Sequence, residues 1–106
     1  MVAKQFEIYW INLDRSQGAE IKKQRPCVVI SPNELGFLKT RIIAPITSKG
    51  YDMPFRVSFT LMGKKALILC DQIRSISVER IVSEKIADLD EKSVVKLKKI
   101  LAEMFA

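Results

Sequence analysis

The sequence predicts an α+β fold that is mainly β, a small antiparallel barrel with one helix at the C-terminus. Three observations carry that expectation. Short apolar runs rich in branched and aromatic residues recur from Phe6 onward, as strands do. Polar or glycine-containing loops separate them. Only the last stretch of the chain changes to helical spacing. A barrel with the helix packed on one side would close the exposed strand edges.

In order along the chain, Phe6–Leu13 (FEIYWINL) reads as the first strand. Asp14–Gln24 (DRSQGAEIKKQ) is polar, carries Gly18 and reads as a loop, long for a small domain, as functional loops often are. Pro26–Ser31 (PCVVIS) is a second strand, with proline tolerated at its start. Pro32–Leu38, with Asn33 and Gly36, is a second loop. Thr40–Ile46 (TRIIAPI) is a third strand, in which Pro45 suggests an edge or a bulge. Thr47–Pro54 (TSKGYDMP) is a third loop, and Phe55–Leu61 (FRVSFTL) alternates as a half-buried strand does. Met62-Gly63-Lys64-Lys65 makes a tight turn, so the next strand should pair back as a hairpin. That strand, Ala66–Ile76 (ALILCDQIRSI), is the longest candidate, and Asp71-Gln72 is its one conspicuous polar insertion. Ser77 can cap a single helical turn over Val78, Glu79 and Arg80, and Ile81–Leu89 has room for one more short strand. Asp90 is a good N-cap for the terminal helix, and Glu91 in its first turn suits the helix dipole. Val94, Leu97, Leu101 and Met104 follow the helical period, joined by Ile100 and Phe105. Lys92, Lys96, Lys98 and Lys99 read as the solvated face.

At 106 residues the chain reads as one domain, 1–106, with a modest core that dimerisation would help to stabilise. A hydrophobic fraction of 48% argues against disorder. The net charge of +6, from 18 Lys and Arg against 12 Asp and Glu, favours anionic partners: nucleic acid, an acidic protein segment or a membrane surface. There is no histidine, which excludes Ser-His-Asp triads, Cys-His pairs and His-rich zinc sites. Any catalysis must use Arg, Lys, Asp, Glu, Tyr, Ser, Thr or Cys. Cys27 and Cys70 lie inside apolar runs without C-x-x-C spacing and read as reduced core thiols. No apolar secretion signal precedes the first strand, and no run approaches the roughly 20 residues that span a bilayer. The expected location is the cytoplasm.

Four places could carry chemistry. Arg15, Lys22, Lys23 and Arg25 cluster in and after the first loop, with Glu20 among them. Arg25, immediately before Pro26, stands where a loop enters a strand, a rigid mount that still faces solvent. It reads equally as a phosphate-binding guanidinium or as an ordinary surface arginine in a salt bridge. In Ala44–Ser48 (APITS), Thr47 and Ser48 supply hydroxyls at a strand end, which can hold a phosphate oxygen or simply shape a turn. In Leu69–Ser75 (LCDQIRS), Asp71 would need a partner if buried. Gln72 and Arg74 read as structural, and Asp71 is open between structure and a base-edge contact or support of a site loop. Among the aromatics, Tyr9, Trp10, Phe37, Tyr51 and Phe55 could stack on unpaired bases. Trp10 and Phe55 read rather as core, Tyr51 and Phe37 in loops are the better candidates, and Phe37 could equally serve a partner interface.

These segments, in order, resemble the MazF/PemK toxin family, also called CcdB-like. The resemblance runs from Glu7–Asp14 through Gly18–Pro32, then Ala44–Ser48 and Asp71–Ile76, to the terminal helix. The ordered set Arg25-Pro26, Pro45-Ile46-Thr47-Ser48 and Asp71-Gln72-Ile73-Arg74 makes it specific. It implies an SH3-like barrel that forms a homodimer, cleaves single-stranded RNA in a sequence-specific way without metal or other cofactor, and is inhibited by a cognate MazE-like antitoxin. It implies that Arg25 and Thr47 are the catalytic pair. Ser48, Lys22, Lys23, Glu20, Asp71, Gln72 and Tyr51 are then the candidates for RNA binding or support. In the implied chemistry the ribose 2′-OH attacks the adjacent phosphorus and the 5′-oxygen leaves, giving a 2′,3′-cyclic phosphate and a 5′-OH. The substrate brings its own nucleophile, so the protein must supply positioning, proton transfer and charge stabilisation.

The chain departs from the family pattern at three positions. Many relatives carry Pro at the position of Arg15 and Ser at Ala19, and some place His at Ala19 and Arg at Leu69. Two other readings use the same fold or net charge. One is a toxin that inhibits a protein target such as DNA gyrase through the terminal helix. The other is a nucleic-acid-binding module without catalysis.

Overall fold

The structure, a computed structural model, describes residues 2–13 and 24–106. The sequence-predicted loop Asp14–Gln24, with Arg15, Ala19, Glu20, Lys22 and Lys23, lies outside the described residues except for Gln24. Among the described residues, seven strands form one curled antiparallel sheet, a half-barrel, with a single α-helix. They are β1 (Glu7–Asn12), β2 (Gln24–Val29), β3 (Thr40–Thr47), β4 (Arg56–Leu61), β5 (Lys64–Leu69), β6 (Arg74–Ser77) and β7 (Ala87–Asp88). The order is β4-β5-β3-β2-β1-β7, with β6 also pairing β3.

Strand β3 is the pivot. Its first half pairs β6 as far as Ile43↔Arg74, and its last two residues pair β5 as Ile46↔Ile68 and Thr47↔Leu67. Pro45 falls in the gap between those two pairings, where its missing N–H costs no ladder bond. The expectation of a bulge or edge at Pro45 thus becomes a change of partner within one strand.

The sheet of β1, β2 and β3 is buried on both faces, which explains its nearly continuous apolar runs. Ile8, Val28, Ala44 and Ile46 pack with Phe59, Ile68 and Leu97 in the main core. Tyr9, Ile11, Cys27, Val29, Ile43 and Ile76 form a second cluster on the opposite face, closed by Ala3. Both cysteines are free and buried, as expected. Between β4 and β5 the two-residue turn Met62-Gly63 has φ of 51° and 83°, the doubly positive pattern of a type I′ hairpin.

The helix α1 (Glu91–Met104) starts where Asp90 caps it. The Asp90 carboxylate accepts the Ser93 N–H at 3.0 Å and the Ser93 hydroxyl at 2.7 Å. Those bonds hold the Asp90 carboxyl below the usual carboxylate range. Leu97 is fully buried, with Val94, Ile100, Leu101 and Met104 packed around it. Ser77 caps the predicted turn by accepting the Glu79 N–H at 3.2 Å.

Several expectations need correction. The long strand Ala66–Ile76 is two strands. Asp71 and Gln72 sit in a 3₁₀ turn (Cys70–Gln72) that breaks β5 from β6. Asp71 is not buried; it lies exposed, and Arg56 donates to its two oxygens at 3.1 and 3.2 Å. Trp10 and Phe55 are not core but 41% and 40% exposed. Phe105 follows the helix end and points to solvent. β2 begins two residues before Pro26, so Arg25 belongs to the strand and pairs with Ile11.

One buried charge gave no sequence signal. Arg41 is 6% exposed, and its guanidinium donates to the carbonyls of Ala3, Leu38, Thr40 and Gly36 at 2.8–3.2 Å. It ties the N-terminal segment to the connection between β2 and β3, where a buried charge needs that many acceptors.

Candidate functional site

The site arises where β2 and β3 part. Both strands continue past the pair Cys27↔Pro45, β2 back to Gln24 and β3 on to Thr47. Yet β3 has already turned to β5, so the Gln24–Pro26 stretch of β2 pairs only with β1. Arg25 and Thr47 each lie two residues beyond the last β2–β3 pair, Cys27↔Pro45, on the two parting strand ends. A groove of about 830 Å³ opens there.

Much of its lining is apolar: Trp10, Pro26, Ile46, Leu61, Met62 and Ala66. Its rim carries Arg25, Lys49, Lys64 and Lys65, and among the described residues no Asp or Glu lines it. Lys65 has a distant carboxylate, Asp52, at 3.8 Å, with both side chains largely exposed. Arg25 is exposed and makes no ion pair with any described residue. A guanidinium so placed keeps its donors for a ligand.

Thr47 is half-buried, and its side-chain oxygen accepts the Lys49 N–H at 3.1 Å. With one lone pair so engaged, its hydroxyl hydrogen can be donated to an anion in the groove. Beneath Arg25, the Cys27 thiol donates to the Arg25 carbonyl at 3.5 Å. Burial pushes that thiol up to about 12, against the opposing pull of Arg25 and Arg74, so it is neutral at ordinary pH.

The groove therefore gathers Arg25, Thr47 and Ser48 from the sequence-predicted candidates. Asp71, Gln72 and Tyr51 lie outside its lining. Asp71 is engaged by Arg56, whose guanidinium holds its carboxyl below the usual range. Tyr51 is 83% exposed in the connection after β3. Arg74 acts structurally, donating to the Leu13 carbonyl at 3.3 Å. The groove adds Lys49, Met62, Lys64 and Lys65, and also Trp10, an aromatic able to stack on bases that the sequence favours as core. The Lys64-Lys65 pair following a hairpin glycine was the signal available in the sequence.

A half-barrel whose groove has a largely apolar lining and a cationic rim defines a small module suited to an anionic chain that carries flat apolar groups. The profile of a PemK-like, MazF-like toxin of type II toxin–antitoxin systems matches residues 4–105, and the chain belongs to that family. It is 32% identical over 103 residues to endoribonuclease MazF9 of Mycobacterium tuberculosis, an alignment covering 80% of this chain and 87% of that protein. Its fold matches MazF of Deinococcus radiodurans with a TM-score of 0.81 at 23% identity, covering 99% of this chain and 97% of that one. A MazE–MazF crystal structure from the same organism gives a TM-score of 0.79 at 21% identity, covering 100% and 97%.

Proposed function

We propose that this chain is the endoribonuclease toxin of a type II toxin–antitoxin pair, and that it cuts single-stranded RNA, mRNA among it, at particular sequences through Arg25 and Thr47. Family membership and the similarity to an endoribonuclease favour an RNA-cleaving enzyme over a toxin that inhibits a protein target. The observation that supports the site is that Arg25 and Thr47, on the parting ends of β2 and β3, line one groove.

The division of labour follows from the groups present. An RNA phosphate between β2 and β3 meets the Arg25 guanidinium on one side and the Thr47 hydroxyl on the other. As the 2′-oxygen attacks, negative charge grows on the non-bridging oxygens. Arg25 stabilises it, more strongly in the transition state than in the ground state. The 5′-oxygen departs, leaving a 2′,3′-cyclic phosphate and a 5′-OH. A guanidinium is a poor general base because its pKa is so high, so Arg25 acts chiefly through charge. Ser48 assists Thr47, and Lys49, Lys64 and Lys65 draw in the flanking phosphates. None of these steps calls on a metal ion.

The partner is an acidic, partly disordered MazE-like antitoxin that lies across the cationic groove and covers Arg25. The working assembly is a homodimer in the cytoplasm. Among the described residues no helix is long and apolar enough to cross a membrane.

Incubating the protein with a long single-stranded RNA in EDTA, beside Arg25→Ala, tests the reading. Discrete cuts with 5′-OH ends are expected, slowed about 100-fold or more in the variant, the scale of losing one charge-stabilising donor. Intact RNA with folded wild-type protein, or equal cutting by the variant, would overturn it.

A further inference from the structure

We propose that Trp10 is a stacking platform for one unpaired RNA base, next to the phosphate that Arg25 and Thr47 hold. The inference deepens the ribonuclease reading and rests on it for the position of the phosphate. An aromatic residue in a strand of a small barrel ordinarily points into the core. Its strand neighbours Ile8, Tyr9 and Ile11 are all buried, while Trp10 is 41% exposed. It lies opposite Pro26, one residue along β2 from Arg25, and both residues line the same groove. The face it shares with Ile8 is closed deeper in the barrel by Val28, Ala44 and Ile46, but it opens at the end where β3 swings away.

A second observation concerns another residue of the same groove. Met62 is 73% exposed, lines the groove, and holds a left-handed φ of 51°. That conformation favours Asn or Gly, so a large apolar side chain kept there at some cost suits a functional position. An indole and a flexible thioether lining one groove supply apolar surface of the kind that takes a flat ring. The cationic rim supplies the complementary grip on the backbone. An abasic polyanion would engage only the rim, whereas an unpaired nucleotide engages both.

Trp10 is the one tryptophan in the chain, so its fluorescence reports this slot alone. Wild-type protein is titrated with single-stranded 2′-O-methyl RNA twelve-mers of each base, which cannot be cut because the nucleophilic oxygen is blocked. The control is an abasic deoxyribose phosphate oligomer of the same length. Saturable quenching by at least one base, absent with the abasic oligomer, is expected. In cleavage of a long RNA, Trp10→Ala should raise KM about tenfold with a smaller change in kcat, and Trp10→Phe should restore most of the loss. Fluorescence that does not respond to any of the four oligomers, or unchanged KM in Trp10→Ala, overturns the platform while leaving the ribonuclease reading intact. Quenching in a protein that never cuts RNA does the reverse: it supports the platform and sinks the enzyme.

Discussion

At the scale of single residues, the groove combines side chains at rest with one held under strain. Thr47 is fixed by the Lys49 N–H, and Arg25 is carried by the stretch of β2 that, among the described residues, pairs only with β1. Met62 is the strained one, at the first position of a type I′ turn that ordinarily takes Asn. Met62→Asn should therefore raise stability by about 0.5 kcal/mol, read as a higher urea midpoint with unchanged slope. An unchanged or lower midpoint would mean that the Met62 side chain packs better than its exposure indicates. Residue-scale legibility was uneven. Arg25, Thr47 and Ser48 were recognisable from their junctions and from the resemblance. Trp10 was not, because alternation assigns a face but does not reveal whether that face is covered at a given height of the barrel. Arg41 was hidden for a related reason: its four acceptors come from segments whose approach no local pattern encodes.

At the scale of elements, strand existence followed from apolar runs, and the helix from its period and its Asp90 cap. Breaks were harder to see. Apolar residues continue on both sides of Asp71-Gln72, so periodicity ran through a turn that tertiary structure imposes. That Arg25 and Thr47 line one groove depends on the register of two strands and on where one of them changes partner, and neither is a local property. The helix contributes chiefly through Leu97, fully buried against the core strands. Leu97→Ala removes that contact and leaves a void, with an expected loss of about 3 kcal/mol in urea unfolding. A loss under about 1 kcal/mol would mean that α1 repacks readily onto the sheet.

For the whole molecule, charge and pH carry the predictions. With a net charge of +6 and a rim of Lys and Arg, binding of the 2′-O-methyl twelve-mers should weaken steeply with salt. Lys64→Ala and Lys65→Ala should each lower the slope of log affinity against log salt by about one. An unaltered slope would remove those lysines from the phosphate path. On the alkaline side, burial pushes Cys70 up to about 11 and Cys27 up to about 12, from an ordinary value of 9.0. The unfolded chain releases those protons first, so the stability they contribute is whole below about pH 9 and is lost as pH rises toward 11–12. Urea midpoints should fall between pH 8 and pH 11, and replacing either cysteine by alanine should flatten the decline.

The hairpin of β4 and β5 joins the rest of the sheet through two register pairs on β3, Ile46↔Ile68 and Thr47↔Leu67, and its Met62-Gly63 turn lies at the other end of β5 from Leu69. Changes at that turn leave the strands bearing Arg25 and Thr47 in place. A loop exchanged at that turn should therefore reshape the groove's edge while the pivot in β3 keeps its partners, so that the target of one scissor could be altered without touching its hinge.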